Sequence, residues 1–427
     1  MQHSLKFQMI IWGFMGVLVV ASGGLVILWR LVNETEARGE NFSHPFFIPL
    51  LMTIGDALCI FIYMYEIRRA RKRYGSYQLH PKVVRARTSG RSTYINPAML
   101  ILPKFLNICA SFAFALSFSF VGGVAQNQDH KLLRSTFTIE SDTDISLNET
   151  LKESSEQSFL SFELALAIHG NITILIAVIS RLILKKNQYR HHFLGILFIL
   201  VGIWMVAIPL YIEQSGKATE ILLGTSMVLG SIILISIQFN LEERLLENYF
   251  LSPARMVGWE GIWGVVFAIL ILPGAYFISC NARFCANNKL ADSIFAFKQM
   301  GSSVLIICSV IGMIILSTVS NIVGVTIMKY TGGNNRASIL SLKIIPFWIF
   351  FLLYHSNGGV DIDYVRLAGY IILLFGTLFY NEIIIIPCFG LNDNTMKKLE
   401  LKDQEADDYY SDETESMRSS DIYQINI

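Results

Sequence analysis

Residues 302–328 read SSVLIICSVIGMIILSTVSNIVGVTIM, a run without a single charged side chain. An apolar stretch of about 20 residues crosses the hydrocarbon core of a bilayer as a helix. Nine other apolar runs read the same way: 7–29, 45–67, 98–124, 159–184, 192–212, 221–240, 256–279, 336–354 and 364–387. Ten predicted spans fill most of the chain, so its chemistry has to come from groups inside and between helices.

Composition excludes several classes. Hydrophobic residues make up 53% of the 427 residues and mean hydropathy is +0.49, too apolar for a soluble enzyme of this length. A net charge of +1 gives no purchase on nucleic acid. Lys6 and the small residues Ala21-Ser22-Gly23 resemble a signal peptide, but the run between them is too long, so it reads as span 1. No Gly-x-Ser-x-Gly and no clustered loop ligands argue for an enzyme. His191-His192 is expected to point to different helix faces, so neither a metal site nor a cofactor is predicted.

Basic residues set the orientation. Arg68, Arg69, Arg71, Lys72, Arg73, Lys82, Arg85, Arg87 and Arg91 follow span 2 with no acidic residue among them, which makes that loop cytosolic. The loop at 125–158 is acidic instead, and it holds the glycosylation triplet starting at Asn148. Two more triplets, at Asn33 and Asn41, fall on the same non-cytosolic side. An even number of spans then puts both termini in the cytosol. Cys280 and Cys285 share a luminal loop, where either a local disulfide or two free thiols fits the sequence.

The chain repeats itself. Residues 194–202 and 368–376 each carry glycines seven apart, Gly195 with Gly202 and Gly369 with Gly376, at a common offset of 174. Glycines two turns apart line one face and permit close helix contact. If spans 1–5 and 6–10 are homologous, each half has an odd number of spans and the second is inverted, as in many secondary transporters. The same offset carries His169, mid-span 4, onto Lys343, mid-span 9. Two groups able to carry positive charge at the midplane point to an anion-attracting cavity; the alternatives are an inter-helix hydrogen bond for His169 and an acidic partner for Lys343.

Other polar groups lie at membrane depth. Asp56, Glu163 and Glu260 are coupling or ion-pair candidates, and Lys104, Asn107 and Asn321 are binding candidates. Gly258, Gly261 and Gly264 recur every three residues and let another helix approach Glu260. Glu242 and Glu243 are expected to form a solvated cluster with Arg244 and Arg255 at the end of span 6.

Several blocks resemble a known family: His44-Pro45-Phe46, Asn96-Pro97, Leu241-Glu242-Glu243, the stretch from Val257 to Gly264, and Asn321 through Lys329 and Arg336 to Ser341-Leu342-Lys343. In this order they resemble the EamA-like drug/metabolite transporters, and within them the F-type branch of solute carrier family 35, over roughly 44–387. The resemblance implies an all-α membrane protein of ten transmembrane helices in two inverted five-helix repeats, with a cavity lined by helices 1–4 and 6–9. It implies transport of an organic solute, nucleotide sugars being typical of the wider family. Relatives carry a basic residue before Gly in span 4, here His169 before Gly170, and a second in span 9, here Lys343. Two departures stand out: His replaces a permanent cation, and Leu340 replaces an acidic residue. The first makes uptake pH-dependent around the ordinary imidazole value of about 6.5.

The expected organisation is therefore a first repeat at 1–212, a second at 213–387 and an acidic cytosolic tail at 388–427. The expected activity is alternating-access transport of a polar or anionic organic solute in an endomembrane; the alternative is a transport-inactive scaffold on the same fold. Expected partners are the solute, the lipid bilayer and a protein on the tail. The sequence sets no oligomeric state.

Overall fold

Helices dominate because the chain offers long apolar runs with few interior breakers, and in hydrocarbon a helix satisfies its own backbone. The computed structural model describes residues 2–121, 160–185, 188–213, 218–280, 285, 288–355, 363–385 and 395. The acidic loop 125–158 with Asn148, and the tail 388–427 apart from Thr395, lie outside the described residues.

In chain order the helices are α1 (Gln2–Glu34), α2 (Phe47–Tyr74), α3 (Pro81–Thr88), α4 (Ile101–Val121), α5 (160–169), α6 (Ile172–Ile183), α7 (Arg190–Glu213) and α8 (Ala218–Asn248). They continue with α9 (Pro253–Phe277), α10 (Ser293–Ser302), α11 (Val304–Thr331), α12 (Gly333–Ser341), α13 (Ile344–His355) and α14 (Tyr364–Tyr380). A two-stranded antiparallel hairpin, β1 (Glu36–Ala37) with β2 (Glu40–Asn41), follows α1. Asn96 caps the turn leading into α4 by accepting from the Ala98 N–H.

Among the described residues, nine helical segments are long and apolar enough to cross a membrane. The tenth expected run, 364–387, is a correction: α14 is a 17-residue helix ending at Tyr380. Asn381 closes it, its N–H bonded to Thr377 O, and Glu382 takes a φ of 55°, which no helix continues through. Span 6 errs the other way. It runs on to Asn248 as α8 and carries Glu242 and Glu243 with it.

Spans 4 and 9 are both broken, and the sequence reading had each as one run. The first breaks at Gly170 and Asn171, between α5 and α6. Gly170 N–H tightens onto Ala167 O, and Ser341 Oγ donates to Gly170 O at 2.9 Å, replacing a helical bond. The second breaks at Leu342 and Lys343, between α12 and α13. Pro346, three residues on, has no N–H to give to Leu342 O, which accepts from Ile345 N–H instead.

The principal helix contacts are α7 with α14, α4 with α8, α2 with α9, and α1 with α11. Small residues make two of them. A Cβ on Gly261 would sit 2.0 Å from Ala57 N, and one on Gly202 would sit 2.6 Å from Leu373 N. The α2 and α7 backbones thus lie directly against their neighbours. Outward positions remain apolar: Leu222, Ile212, Ile269 and Leu270 are all more than half exposed, as lipid-facing side chains should be.

At the hairpin end, His44 Nε2 donates to Gln299 Oε1 at 2.7 Å. Gln299 in turn donates to Ala37 O at 3.0 Å and Glu40 O at 3.2 Å, tying α10 to the hairpin. Phe42, Phe47 and Phe295 present ring edges around the imidazole. Burial holds the His44 pKa below its ordinary 6.5, against the hydrogen bond to Gln299 and the nearby Asp292 and Glu40.

Two predictions follow from this packing. Gly261→Ala lowers stability by about 1–3 kcal/mol or more, because backbone cannot yield as a side chain does. Gly230→Ala in α8, with open space around it, raises stability by about 0.5–1 kcal/mol; thermal unfolding of the solubilised protein reads both. For His44, a depressed folded value means that the unfolded chain takes the proton first. Stability therefore begins to fall as pH drops below about 6.5 and levels off below the depressed value. His44→Gln shows a smaller fall over that window in the same assay.

Candidate functional site

Both helix breaks exist where chemistry is placed. His169 is the last residue of α5 and Lys343 stands in the turn before α13. Lys343 Nζ lies 3.3 Å from His169 Nδ1. An ammonium donates to that nitrogen only while it carries no proton, so the pair holds one positive charge. Phe114 of α4 covers both: its ring centroid is 4.7 Å from the imidazole and 5.2 Å from Nζ. His169 is 6% exposed and Lys343 is half-buried. No carboxylate lies within ion-pair distance of Lys343 among the described residues.

Toward the hairpin end the site is closed by rings. Phe114 meets Phe118 at 4.8 Å, Phe118 stacks on Phe162 at 3.8 Å, and Phe162 stacks on Phe347 at 5.5 Å. Helical spacing puts Phe114 with Phe118, and Lys343 with Phe347, on shared faces of their segments.

Toward the Arg68–Arg73 end the lining is polar. Asp56 of α2 accepts from Lys104 Nζ at 3.1 Å and from Asn321 Nδ2 at 3.0 Å. Asn107 Nδ2 donates to Gln238 Oε1 at 3.1 Å, and Gln238 donates to Glu242. Arg336 Nη1 lies 2.8 Å from Glu242 Oε2, with the guanidinium 4.0 Å over the Phe239 ring. Gly333 N–H donates to Glu243 Oε1 at 2.9 Å. The expectation of a solvated Glu242–Glu243 cluster is therefore corrected: the two are 1% and 3% exposed. They are buried because α8 extends past them and the glycines at 332 and 333 let α12 approach. Arg336 and Gln238, absent from the sequence-derived site, are part of this lining. Their signal was a polar side chain inside runs 336–354 and 221–240.

The remaining candidates separate. Glu163 is 0% exposed, accepts from Tyr370 OH and lies 3.5 Å from Arg366 Nη1, so α5 and α14 are held together away from the His169–Lys343 pair. Arg366 also reaches Asp363 at 2.9 Å and Glu213 at 3.7 Å. Glu260 of α9 is 7% exposed, and among the described residues its Oε1 has no hydrogen-bond partner. Gly258 and Gly261 lie on the α2 backbone beside it, and Gly264 lies against Thr53 and Lys104. Gly195 lies against Tyr380 and Gly376 against Ile199, with Gly369 facing Gly202 across the same seam.

His191 and His192 do not diverge as expected. Their ring centroids are 4.0 Å apart, and with Glu382 their potential ligand atoms fall within 4.8 Å of one another. Two imidazoles and a carboxylate suit zinc by donor type. Here each imidazole already has a protein partner: His191 Nε2 bonds Glu382 Oε1 at 3.0 Å, and His192 Nδ1 accepts the Tyr189 N–H at 3.3 Å. The left-handed backbone at Glu382 turns its carboxylate back to the first turn of α7. Asn33 is in the last turn of α1, Asn41 is in β2, and Cys280 is disulfide-bonded to Cys285 with Cα atoms 6.0 Å apart.

No family model matches the chain. Among curated proteins it is similar to human solute carrier family 35 member F6, 27% identical over 219 residues, which cover 50% of this chain and 58% of that protein. The mouse member F6 is 29% identical over 220 residues, with the same coverage. A Schizosaccharomyces pombe protein is 24% identical over 226 residues, 51% of this chain and 65% of its own. A solved chain aligns with 87% of this one and 96% of itself at 11% identity and a TM-score of 0.45, too low to transfer a fold. The chain spans 58% of the length of the member F6 relatives it matches. Over that stretch it is related by sequence to the F-type branch of solute carrier family 35.

Proposed function

We propose that this protein is a secondary transporter of a polar or anionic organic solute, and that His169 and Lys343 sit at its binding site. The observation that carries the reading is the 3.3 Å contact between residues 174 apart, each at a break in its own span. The relation to solute carriers supports it, since those relatives are named for transport of solutes.

In this reading α14 completes a tenth crossing; its 17 residues reach about 25 Å at 1.5 Å per residue. The halves 1–212 and 213–387 are then inverted repeats. The helix contacts support the inversion. Exchanging spans 1 with 6 and 3 with 8 turns the α4–α8 pair into the α11–α1 pair, and both are principal contacts. The same exchange maps α2–α9 and α7–α14 each onto itself. Alternating access is rocking of one half on the other around the fixed pair.

Roles for the other groups follow. Lys104, Asn107 and Asn321 line the cytosolic approach, and Glu260, a buried carboxyl without a fixed partner, is the coupling group. Asp56 and Glu163 serve as ion-pair anchors. No cofactor enters this mechanism. The protein acts in an endomembrane with both termini cytosolic, Asn33, Asn41 and Asn148 luminal and glycosylated, and the tail free to bind a partner.

A transport-inactive scaffold is the second reading, favoured by Leu340 at the position where the resemblance expects an acid. Solute binding unchanged by the double substitution His169→Ala with Lys343→Ala supports the scaffold. The carrier reading predicts that Lys343→Ala abolishes uptake while the protein still reaches its membrane. It also predicts a pH-dependent uptake profile that flattens in His169→Gln. Normal uptake by Lys343→Ala in proteoliposomes would sink the assignment of Lys343 to an anion site.

A further inference from the structure

We infer that the solute is an aromatic monocarboxylate, its carboxylate on Lys343 and its ring against Phe114. This rests on the carrier reading and narrows its substrate class.

The buried cations Arg30, Lys104 and Arg336 and the half-buried Arg366 each face a carboxylate of the chain: Glu34, Asp56, Glu242, and Glu163 with Asp363, respectively. Lys343 faces none among the described residues; its neighbours are His169 Nδ1 and the Phe114 ring. The site therefore has one uncompensated positive charge to offer. A diphosphate brings two or more negative charges. Matching the second would mean taking Lys104 from Asp56 or Arg336 from Glu242, which strands a buried carboxylate.

Hydrogen-bonding capacity points the same way. Lys343 has donors left after His169, enough for the two oxygens of one carboxylate. The hydroxyls at the breaks are occupied: Ser341 donates to Gly170 O at 2.9 Å and pairs with Thr173 Oγ1 at 3.0 Å. A polyhydroxyl body would find neither hydroxyl free there, and each unpaired buried hydroxyl counts against binding.

The body of the solute is set by the walls. Phe114 already presents its ring to Lys343 and His169, and Phe118, Phe162 and Phe347 extend that surface by ring-on-ring contact. A planar ring pairs edge-on or offset-stacked with such side chains, and on this inference it takes the place of ring contacts that part as the helices separate.

The test uses the full-length protein in nanodiscs and three probes: indole-3-carboxylate, cyclohexanecarboxylate and UDP-glucose. Indole-3-carboxylate is expected to raise the unfolding midpoint saturably, cyclohexanecarboxylate to bind more weakly and UDP-glucose to leave it unchanged. Lys343→Met should weaken indole-3-carboxylate about 30-fold or more, as loss of a buried charge partner does, and Lys343→Arg should keep saturable binding. Phe114→Leu conserves apolar bulk and should erase the preference for indole over cyclohexane, which keeps the inference testable if Lys343→Met does not fold. Stabilisation by UDP-glucose and not by indole-3-carboxylate overturns the inference and leaves the carrier reading standing. A flat response to all three probes overturns it too, and solute uptake by the wild-type protein in proteoliposomes then decides the carrier reading separately.

Discussion

An ammonium at the depth of Lys343 needs an electron-rich neighbour, because hydrocarbon solvates no charge. His169 supplies one through Nδ1 at 3.3 Å and Phe114 supplies another through its ring face at 5.2 Å. For these three to meet, two helices have to surrender regular backbone at the same level, and the freed carbonyl of Gly170 has to be taken up by Ser341. The breaks, the pair and the cross-bond are thus one arrangement. Non-helical backbone at membrane depth is tolerated only where protein or a cavity covers it, which explains why the breaks face each other and not the lipid.

What holds the helices around this pair is not the hydrophobic effect, since lipid tails are as apolar as Leu. Close approach has to be bought with small residues. Gly261 lets the α2 backbone pass beside Glu260 and Asp56, and Gly202 with Gly369 lets α7 and α14 do the same at the other side. Buried charge pairs then act as registers between helices: Lys104 with Asp56 links α4 to α2, and Arg336 with Glu242 links α12 to α8. Each pair contributes through the cost of removing one partner more than through its net gain on forming.

The sequence carried the spans, the paired glycines and the His169–Lys343 relation, because hydropathy and a fixed offset are both local in text. It did not carry the breaks. Gly170 and Pro346 are visible as residues, but whether such a residue kinks, breaks or passes unnoticed depends on what the neighbouring helix offers the freed carbonyl. Glu242 and Glu243 were misread for a related reason. Two acidic residues at the end of an apolar run look solvated until α8 is seen to continue and Arg336 and Gly333 are seen to receive them. The end of α14 followed from backbone geometry at Asn381 and Glu382, where an apolar run continues in sequence but the helix does not. His191 and His192 were assigned to separate faces by helical periodicity, which does not bind side chains in a first turn anchored from outside by Glu382.

The two ends of the site differ in a way that bears on how it opens. Toward the Arg68–Arg73 end the closing contacts are charged and polar, Arg336 with Glu242 and Asn107 with Gln238. Water that enters there replaces lost partners at little cost, since exposed ion pairs are worth at most about 1 kcal/mol. Toward the hairpin end the closing contacts are Phe118, Phe162 and Phe347, with Phe162 and Phe347 only 3% and 0% exposed. Wetting each such ring costs about 1.5–3 kcal/mol, and water gives nothing back. On the proposed carrier reading the aromatic layer is the side that stays shut without a solute, and the inferred aromatic solute would offset the cost of parting it. Charge at one end and rings at the other make the two openings unequal, and Lys343 lies where they meet.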